Sequence, residues 1–175
     1  MNNRQPHNIE AEQSVIGAAF ISKSALQKVC EELDNTSFFN EAHGKIFDVL
    51  KELYQSGIAV DIMTVTDRLK SKKLLKEIGD VDYLLEIVNS VPTASNVDYY
   101  INIVREKAIL RNLIDTATNI VTDAYNETGS INETLDDAER KILNVVKNRK
   151  SSEFKPIQEA LSKAQLNLET LASSG

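Results

Sequence analysis

The sequence predicts an all-α protein, with a small globular helical bundle followed by a long antiparallel helical hairpin and a separate linker helix. Three observations carry that expectation. Cap residues and glycines punctuate the N-terminal part at helical intervals, and only Ile58-Ala59-Val60 hints at a strand, too short to build a sheet. Two stretches of matched length flank Asn126-Glu127-Thr128-Gly129, each with an apolar stripe wider than one partner helix can cover. A final seam of apolar residues follows a polar stretch. The expected segments are therefore a globular subdomain at 1–105, a helical hairpin at 106–147, a flexible linker at 148–155 and a linker or docking helix at 156–172.

Each globular helix has its own signals. Asn8 is placed to cap the first, with Glu10 and Glu12 in the first turn, where the helix dipole favours carboxylates. Ile9, Ile16, Ala19 and Phe20 form its buried face, and Gly17 beside Ala18 suits close approach of a neighbouring helix. Ser24 opens a second helix ending near Leu33, and the loop after it presents Phe38 and Phe39 for burial. Asn40 caps a third, with Ile46, Phe47, Leu50, Leu53 and Tyr54 along one face and Gly57 at its end. Asp61 caps a helix from Ile62 to Leu69, and a short helix from Leu74 to Ile78 is closed by Gly79. Asp80 opens a segment that buries Leu84, Ile87, Val88 and Val91, and Pro92-Thr93-Ala94-Ser95 then breaks the chain. Ser95 is placed to cap the long helix that becomes the hairpin.

In the hairpin, Leu110, Leu113, Ala117, Ile120 and Ala124 repeat at alternating steps of three and four, the spacing of packed helices. Ile109, Ile114, Val121 and Tyr125 widen the stripe to roughly 160° at about 100° per residue. The second helix answers with Ile131, Leu135, Ala138, Ile142 and Val145, opens on the capping box Ser130-Ile131-Asn132-Glu133, and sorts its acids before its bases. The spare apolar width predicts self-association, two hairpins making a four-helix packing, with Leu113, Ala117, Val121, Ile142 and Val145 as the candidate contacts. Folding of the arm back on the rest of the chain is the alternative. Beyond the polar linker, Pro156 stands at a first helical position, and Ile157, Leu161, Ala164, Leu168 and Leu171 form a face with nothing visible to bury it. That face predicts docking on another subunit or domain.

Composition narrows the function. The 175 residues carry a net charge of −6, which disfavours a surface built wholly for nucleic acid. Cys30 is the one cysteine, so no disulfide framework exists, and it is expected as a small buried residue. No apolar run approaches the ~20 residues of a membrane span, and the N-terminus lacks the core of a signal peptide, so no membrane association and a cytoplasmic location are expected. Catalytic chemistry is absent from the pattern. His7 and His43 stand far apart without metal-ligand spacing, and His43 is expected to be a packing or surface residue. Gly44-Lys45 lacks the rest of a phosphate loop, the carboxylates are expected at caps and on solvent faces, and Lys70, Lys72, Lys73 and Lys76 suit a solvated loop. A free-standing dimeric regulatory or DNA-binding helical module remains a competing reading, disfavoured by the acidic balance.

Four stretches carry a resemblance. Pro6-His7-Asn8-Ile9-Glu10-Ala11-Glu12-Gln13-Ser14-Val15-Ile16-Gly17-Ala18 is similar to the opening signature of the bacterial replicative DNA helicases of the DnaB type. Val91-Pro92-Thr93-Ala94-Ser95-Asn96-Val97-Asp98-Tyr99-Tyr100, Ala42-His43-Gly44-Lys45-Ile46-Phe47 and Val60-Asp61-Ile62-Met63-Thr64-Val65 are similar to further stretches of that family. The resemblance implies the non-catalytic N-terminal collar domain of a hexameric, ATP-driven helicase. It implies assembly as a trimer of dimers through the hairpins, recruitment of the C-terminal domain of primase, and docking of the last helix on the ATPase domain of a neighbouring subunit. ATP and Mg would belong to the ATPase domain, which this sequence lacks, and DNA would be met only through the full-length assembly. A fragment or a motorless variant is therefore expected. With primase supplied by the resemblance, apolar residues left over after packing become its candidates: Ile114 and Ile120 at opposite edges of the arm's stripe, and Tyr83 beside the buried face of its helix.

Overall fold

The computed structural model describes residues 5–127 and 129–153. Among them stand seven α-helices and one 3-10 turn, with no strand. They form two compact units, which divide between Arg111 and Asn112.

In the globular unit, α1 (Ile9–Ile21) starts where the Asn8 side chain accepts the Ala11 amide at 2.9 Å. This helix packs against α2 (Lys23–Glu32), α3 (Glu41–Gln55) and α5 (Asp80–Ser90), and its burial runs round most of its circumference rather than along one face. Small residues allow this. A Cβ on Gly17 would stand 2.6 Å from Val91 Cγ2 and 3.0 Å from the Ile87 carbonyl oxygen, so α5 approaches α1 as closely as the sequence suggested.

Ser22, not Ser24, caps α2, accepting the Ala25 amide at 3.4 Å. The extended Ser22 both ends α1 and begins α2, leaving Ser24 inside the first turn. A 3-10 turn (Asn35–Ser37) follows, capped reciprocally by Asp34 and Ser37. Asn40 caps α3, which buries Ile46, Phe47, Val49, Leu50 and Leu53, and Gly57 reverses the chain at φ +68°. Asp61 and Thr64 form a capping box on α4 (Ile62–Ser71). The expected helix from Leu74 to Ile78 is only a series of hydrogen-bonded turns, because left-handed residues close it on both sides, Lys73 at φ +61° and Gly79 at +99°. Gly79 rather than Asp80 precedes α5, and the Asp80 carboxylate accepts the Val81 amide.

The long helix α6 (Val97–Asn126) begins after the expected break at Pro92. Ser95 does not cap it: its hydroxyl and amide are both bonded to Thr93 Oγ1. Val97, Ile101 and Val104 join the core, and Lys28–Asp98 and Arg105–Glu32 ion pairs tie α2 to α6 at the surface. At the end of this unit Arg111 is buried, and its guanidinium donates to the carbonyls of Pro6 at 2.9 Å, Ser37 at 2.8 Å and Thr36 at 3.4 Å. It also lies over the Phe39 ring, against which His7 stacks. Cys30 lies within the core, and burial pushes its thiol up to about 11.

In the second unit, residues 112–126 of α6 lead to a tip with Glu127 and Gly129 in the left-handed region. The chain returns in α7 (Ile131–Glu153), opened by the Ser130–Glu133 capping box. This helix continues to Glu153, through most of the 148–155 stretch expected as a linker, since no glycine or proline interrupts it before Pro156. The final-helix candidates Ile157, Leu161, Ala164, Leu168 and Leu171 lie outside the described residues. No described helix is long and apolar enough to cross a membrane.

Candidate functional site

Polar residues join the two helices of the arm. Lys141 Nζ reaches Asp123 at 2.5 Å across the hairpin and Asp137 at 2.6 Å on its own helix, and Ile120, Thr134 and Ala138 line the same cleft. The apolar seam expected to close the hairpin mostly faces outward instead. Leu113, Ala117 and Ala124 are exposed on α6, as are Ile131, Leu135 and Ile142 on α7, where Leu135 is 60 % exposed. The lysine held between two carboxylates marks the inward flank of the pair, away from the exposed aliphatic rows.

Helical geometry fixes where those rows go. At about 100° per residue, Leu113, Ala117, Val121 and Ile114 follow the hairpin-facing side of α6 in the direction of increasing rotation. Ile131, Ile142, Leu135 and Val146 follow the facing side of α7 in the same direction. In two antiparallel right-handed helices, equal senses of rotation converge on one side of the pair. The arm thus carries a single two-row apolar face.

Among the self-association candidates, Leu113, Ala117, Val121 and Ile142 are exposed on that face. Val145 is not: only 8 % of it is accessible, which removes it from a free surface. It lies on the inward side of α7, one helical turn beyond Lys141. Ile114 is exposed at the outer edge of the α6 row, whereas Ile120 is half-buried in the arm cleft. Tyr83 belongs to the globular unit, half-buried on the wall of a cleft lined also by Asn40, Glu77, Gly79, Asp82 and Glu86.

Behind Tyr83 stand two residues, one expected as a first-turn carboxylate of α1 and the other as a packing or surface residue. His43 is fully buried and Glu12 is 1 % exposed, contrary to the expectation of carboxylates only at caps and solvent faces. The Glu12 carboxylate accepts the amides of Phe39 at 2.7 Å and Asn40 at 3.2 Å, and His43 Nδ1 lies 2.6 Å from it. His43 Nε2 lies 2.8 Å from the Tyr83 hydroxyl. Periodicity held the signal: Glu12 follows Ile9 by three and precedes Ile16 by four, and His43 precedes Ile46 and Phe47 by three and four. The basic run is a surface feature, with Lys70, Lys72, Lys73 and Lys76 exposed and Lys72 paired to Glu52. No group of three or more His, Cys, Asp or Glu poised for a metal occurs among the described residues.

Comparison with known proteins decides the family. The sequence model described as DnaB-like helicase N terminal domain matches residues 4–106. The chain belongs to the DnaB-like helicase N-terminal domain family. It is 42% identical over 172 residues to the replicative DNA helicase DnaC of Bacillus subtilis and 44% identical over 166 residues to DnaB of Geobacillus stearothermophilus. These alignments cover 98% and 95% of this chain, but the chain spans only 38% and 37% of those relatives. The crystal structure of the N-terminal domain of DnaB helicase from Mycobacterium tuberculosis superposes with a TM-score of 0.76 at 38% identity, covering 81% of this chain and 99% of that one. The all-α architecture of this DnaB-type domain is therefore the family's.

Proposed function

We propose that this chain is the non-catalytic collar of a hexameric, ATP-dependent replicative DNA helicase, self-associating through its arm and recruiting primase. The observation that carries this is the two-row apolar face of the arm. Leu113, Val121, Leu135 and Ile142 stand in solvent on one side of the hairpin, and contiguous exposed apolar surface of this kind marks an interface. A second copy related by a two-fold axis offers the same face in return, which makes a dimer the simplest closed assembly and three dimers a ring. The docking of the last helix, Ile157 to Leu171 by sequence, on the ATPase domain of a neighbouring subunit belongs to the same proposal. ATP and Mg are assigned to that domain, and this chain binds neither alone.

Primase is proposed as the further partner. A structure with the same fold, at a TM-score of 0.65 and 23% identity, is that of a DnaB-like replicative helicase described with its interactions with primase. Ile114, Ile120 and Tyr83 are the proposed contact residues, each tested singly.

Sedimentation velocity tests the assembly. Leu113→Asp and Ile142→Asp place charges on an exposed face, so the double variant should keep its helix content and sediment as a monomer while the parent forms dimers and larger species. A parent that stays monomeric at high concentration refutes the reading. Replacing Tyr83, Ile114 or Ile120 with alanine should weaken binding of the primase C-terminal domain by about 1–3 kcal/mol at a true hot spot. Unchanged affinity in all three variants moves the contact elsewhere. A steep salt-dependent affinity of this chain for DNA would favour the DNA-binding dimer instead.

A further inference from the structure

Two buried polar side chains of the globular unit, Glu12 and His43, lead to one aromatic ring. The Glu12 carboxylate accepts from the Phe39 and Asn40 amides, and one of its oxygens lies 2.6 Å from His43 Nδ1. On the other edge of the same imidazole, Nε2 lies 2.8 Å from the Tyr83 hydroxyl. The hydroxyl oxygen in turn accepts from Gln13 Nε2 at 3.5 Å. One chain of polar contacts therefore joins Gln13, Tyr83, His43 and Glu12.

The ring itself is held as firmly as its hydroxyl. It stacks on the His43 imidazole at 6.0 Å between centroids and 1° between planes. Its stem lies against Gly79, where a Cβ would come within 3.1 Å of Tyr83 Cβ and 3.3 Å of Cγ, at a φ of +99° that only glycine adopts without strain. His43 and Gln13 meet the hydroxyl, the His43 ring lies parallel to that of Tyr83, and Gly79 crowds the stem. A buried polar chain of this kind is a poor device for stability alone, since apolar side chains of similar volume often serve as well. Its outer end is the half-buried tyrosine on the wall of the cleft with Asn40, Asp82 and Glu86.

We infer that Glu12 and His43 are positioning residues for Tyr83, holding its ring in one orientation on the cleft wall before a partner arrives. This rests on the reading of Tyr83 as part of the primase-binding surface and adds what makes that residue effective. A partner then meets a preordered aromatic rather than having to immobilise a loose one, a difference of about two- to tenfold in affinity for one side chain.

The test uses the full chain, the primase C-terminal domain as probe, and Tyr83→Ala, Tyr83→Phe, His43→Gln and the Tyr83→Phe/His43→Gln double variant. Tyr83→Ala removes the ring and should lose tenfold or more in calorimetry. Tyr83→Phe keeps the ring but not its tether, and it and His43→Gln should each lose about two- to tenfold, with oligomeric state and helix content as in the parent. In the His43→Gln variant, carbon-13 relaxation of the ring at Tyr83 should show added motion. The double variant should bind no worse than Tyr83→Phe alone, because both changes cut the same hydrogen bond. If His43→Gln weakens binding equally on both backgrounds, its role is general packing and the inference is overturned. It is also overturned, with the surface reading left standing, if Tyr83→Ala weakens binding while Tyr83→Phe and His43→Gln bind like the parent. Parent-like binding by Tyr83→Ala overturns both.

Discussion

Replacing Gly17 with alanine sets helix propensity against packing, and the structure predicts which one wins. Alanine is favoured over glycine in a helix interior by about 1 kcal/mol, so propensity alone makes the variant more stable. The new methyl, however, would stand 2.6 Å from Val91 Cγ2 and 3.0 Å from the Ile87 carbonyl oxygen. Carbon–carbon contacts are optimal at about 3.5–4.0 Å, so Val91 has to retreat by about 1 Å. Valine has few rotamers to retreat into, and the carbonyl belongs to the backbone of α5. Overpacking of this kind costs about 1–3 kcal/mol, which leaves a net destabilisation of about 0–2 kcal/mol. The sign becomes decisive in a double-mutant cycle with Val91→Ala, which opens the space the methyl needs. Urea unfolding should then give a favourable coupling of about 1–2 kcal/mol between the two substitutions, with the slope of the transition unchanged. A Gly17→Ala variant about 1 kcal/mol more stable than the parent, with no coupling to Val91→Ala, would refute the close approach of α1 and α5.

Arg111→Met should destabilise the globular unit by about 2–4 kcal/mol in urea unfolding, because the carbonyls of Pro6, Thr36 and Ser37 lose their shared donor. Arg111→Lys should recover less than half of that, since one ammonium cannot reproduce the guanidinium fork. The thiol of Cys30, pushed up to about 11 by burial, should resist disulfide-exchange reagents in the native protein at pH 8 and react fully in denaturant. Acid should release the caps. Burial pushes the Asp34 carboxyl up, but hydrogen bonds from Thr36 and Ser37 outweigh it and hold the group below its ordinary 3.8. The Ser130 amide and hydroxyl hold Glu133 below 4.5. A depressed carboxyl contributes stability above its unfolded value and loses it as pH falls through the folded one. Circular dichroism should therefore show the difference between the parent and Asp34→Ala or Glu133→Gln at pH 6 vanish well below pH 4.

Much of the fold was legible because its signals are local. Asn8, Asn40, Asp61 and the Ser130–Glu133 box all cap as their sequence context predicts, and Gly57 and Gly129 turn the chain where expected. What was not legible depended on partners distant in sequence. Ser22 displaced Ser24 because one extended residue serves two helices, and Thr93 claimed Ser95 before it could cap. In the arm, spacing found the apolar rows but not their outward direction, which shows only in the exposure of Leu113, Leu135 and Ile142 beside the inward Asp123–Lys141 pair. At the Tyr83 face, charge was the misleading cue. Glu12 and His43 sit at buried positions of their helices by spacing; Glu12 was expected in a first turn at the surface and His43 as a packing or surface residue, and only the tertiary meeting of α1, α3 and α5 brings together the partners with which they are buried.

A helix surrounded on most sides has little room for drift. Seven of the thirteen residues of α1 are buried, and they include the glycine at the α5 crossing and the carboxylate that organises Phe39, Asn40 and His43. A substitution there has no empty side to turn toward and must be answered by a neighbouring helix. Likeness to other chains along this stretch therefore records a shared interior. Two such proteins could agree through residues 8–19 and still differ in whom they bind, since the proposed contact surfaces, the arm's open face and the rim around Tyr83, hold residues that can change without disturbing the centre.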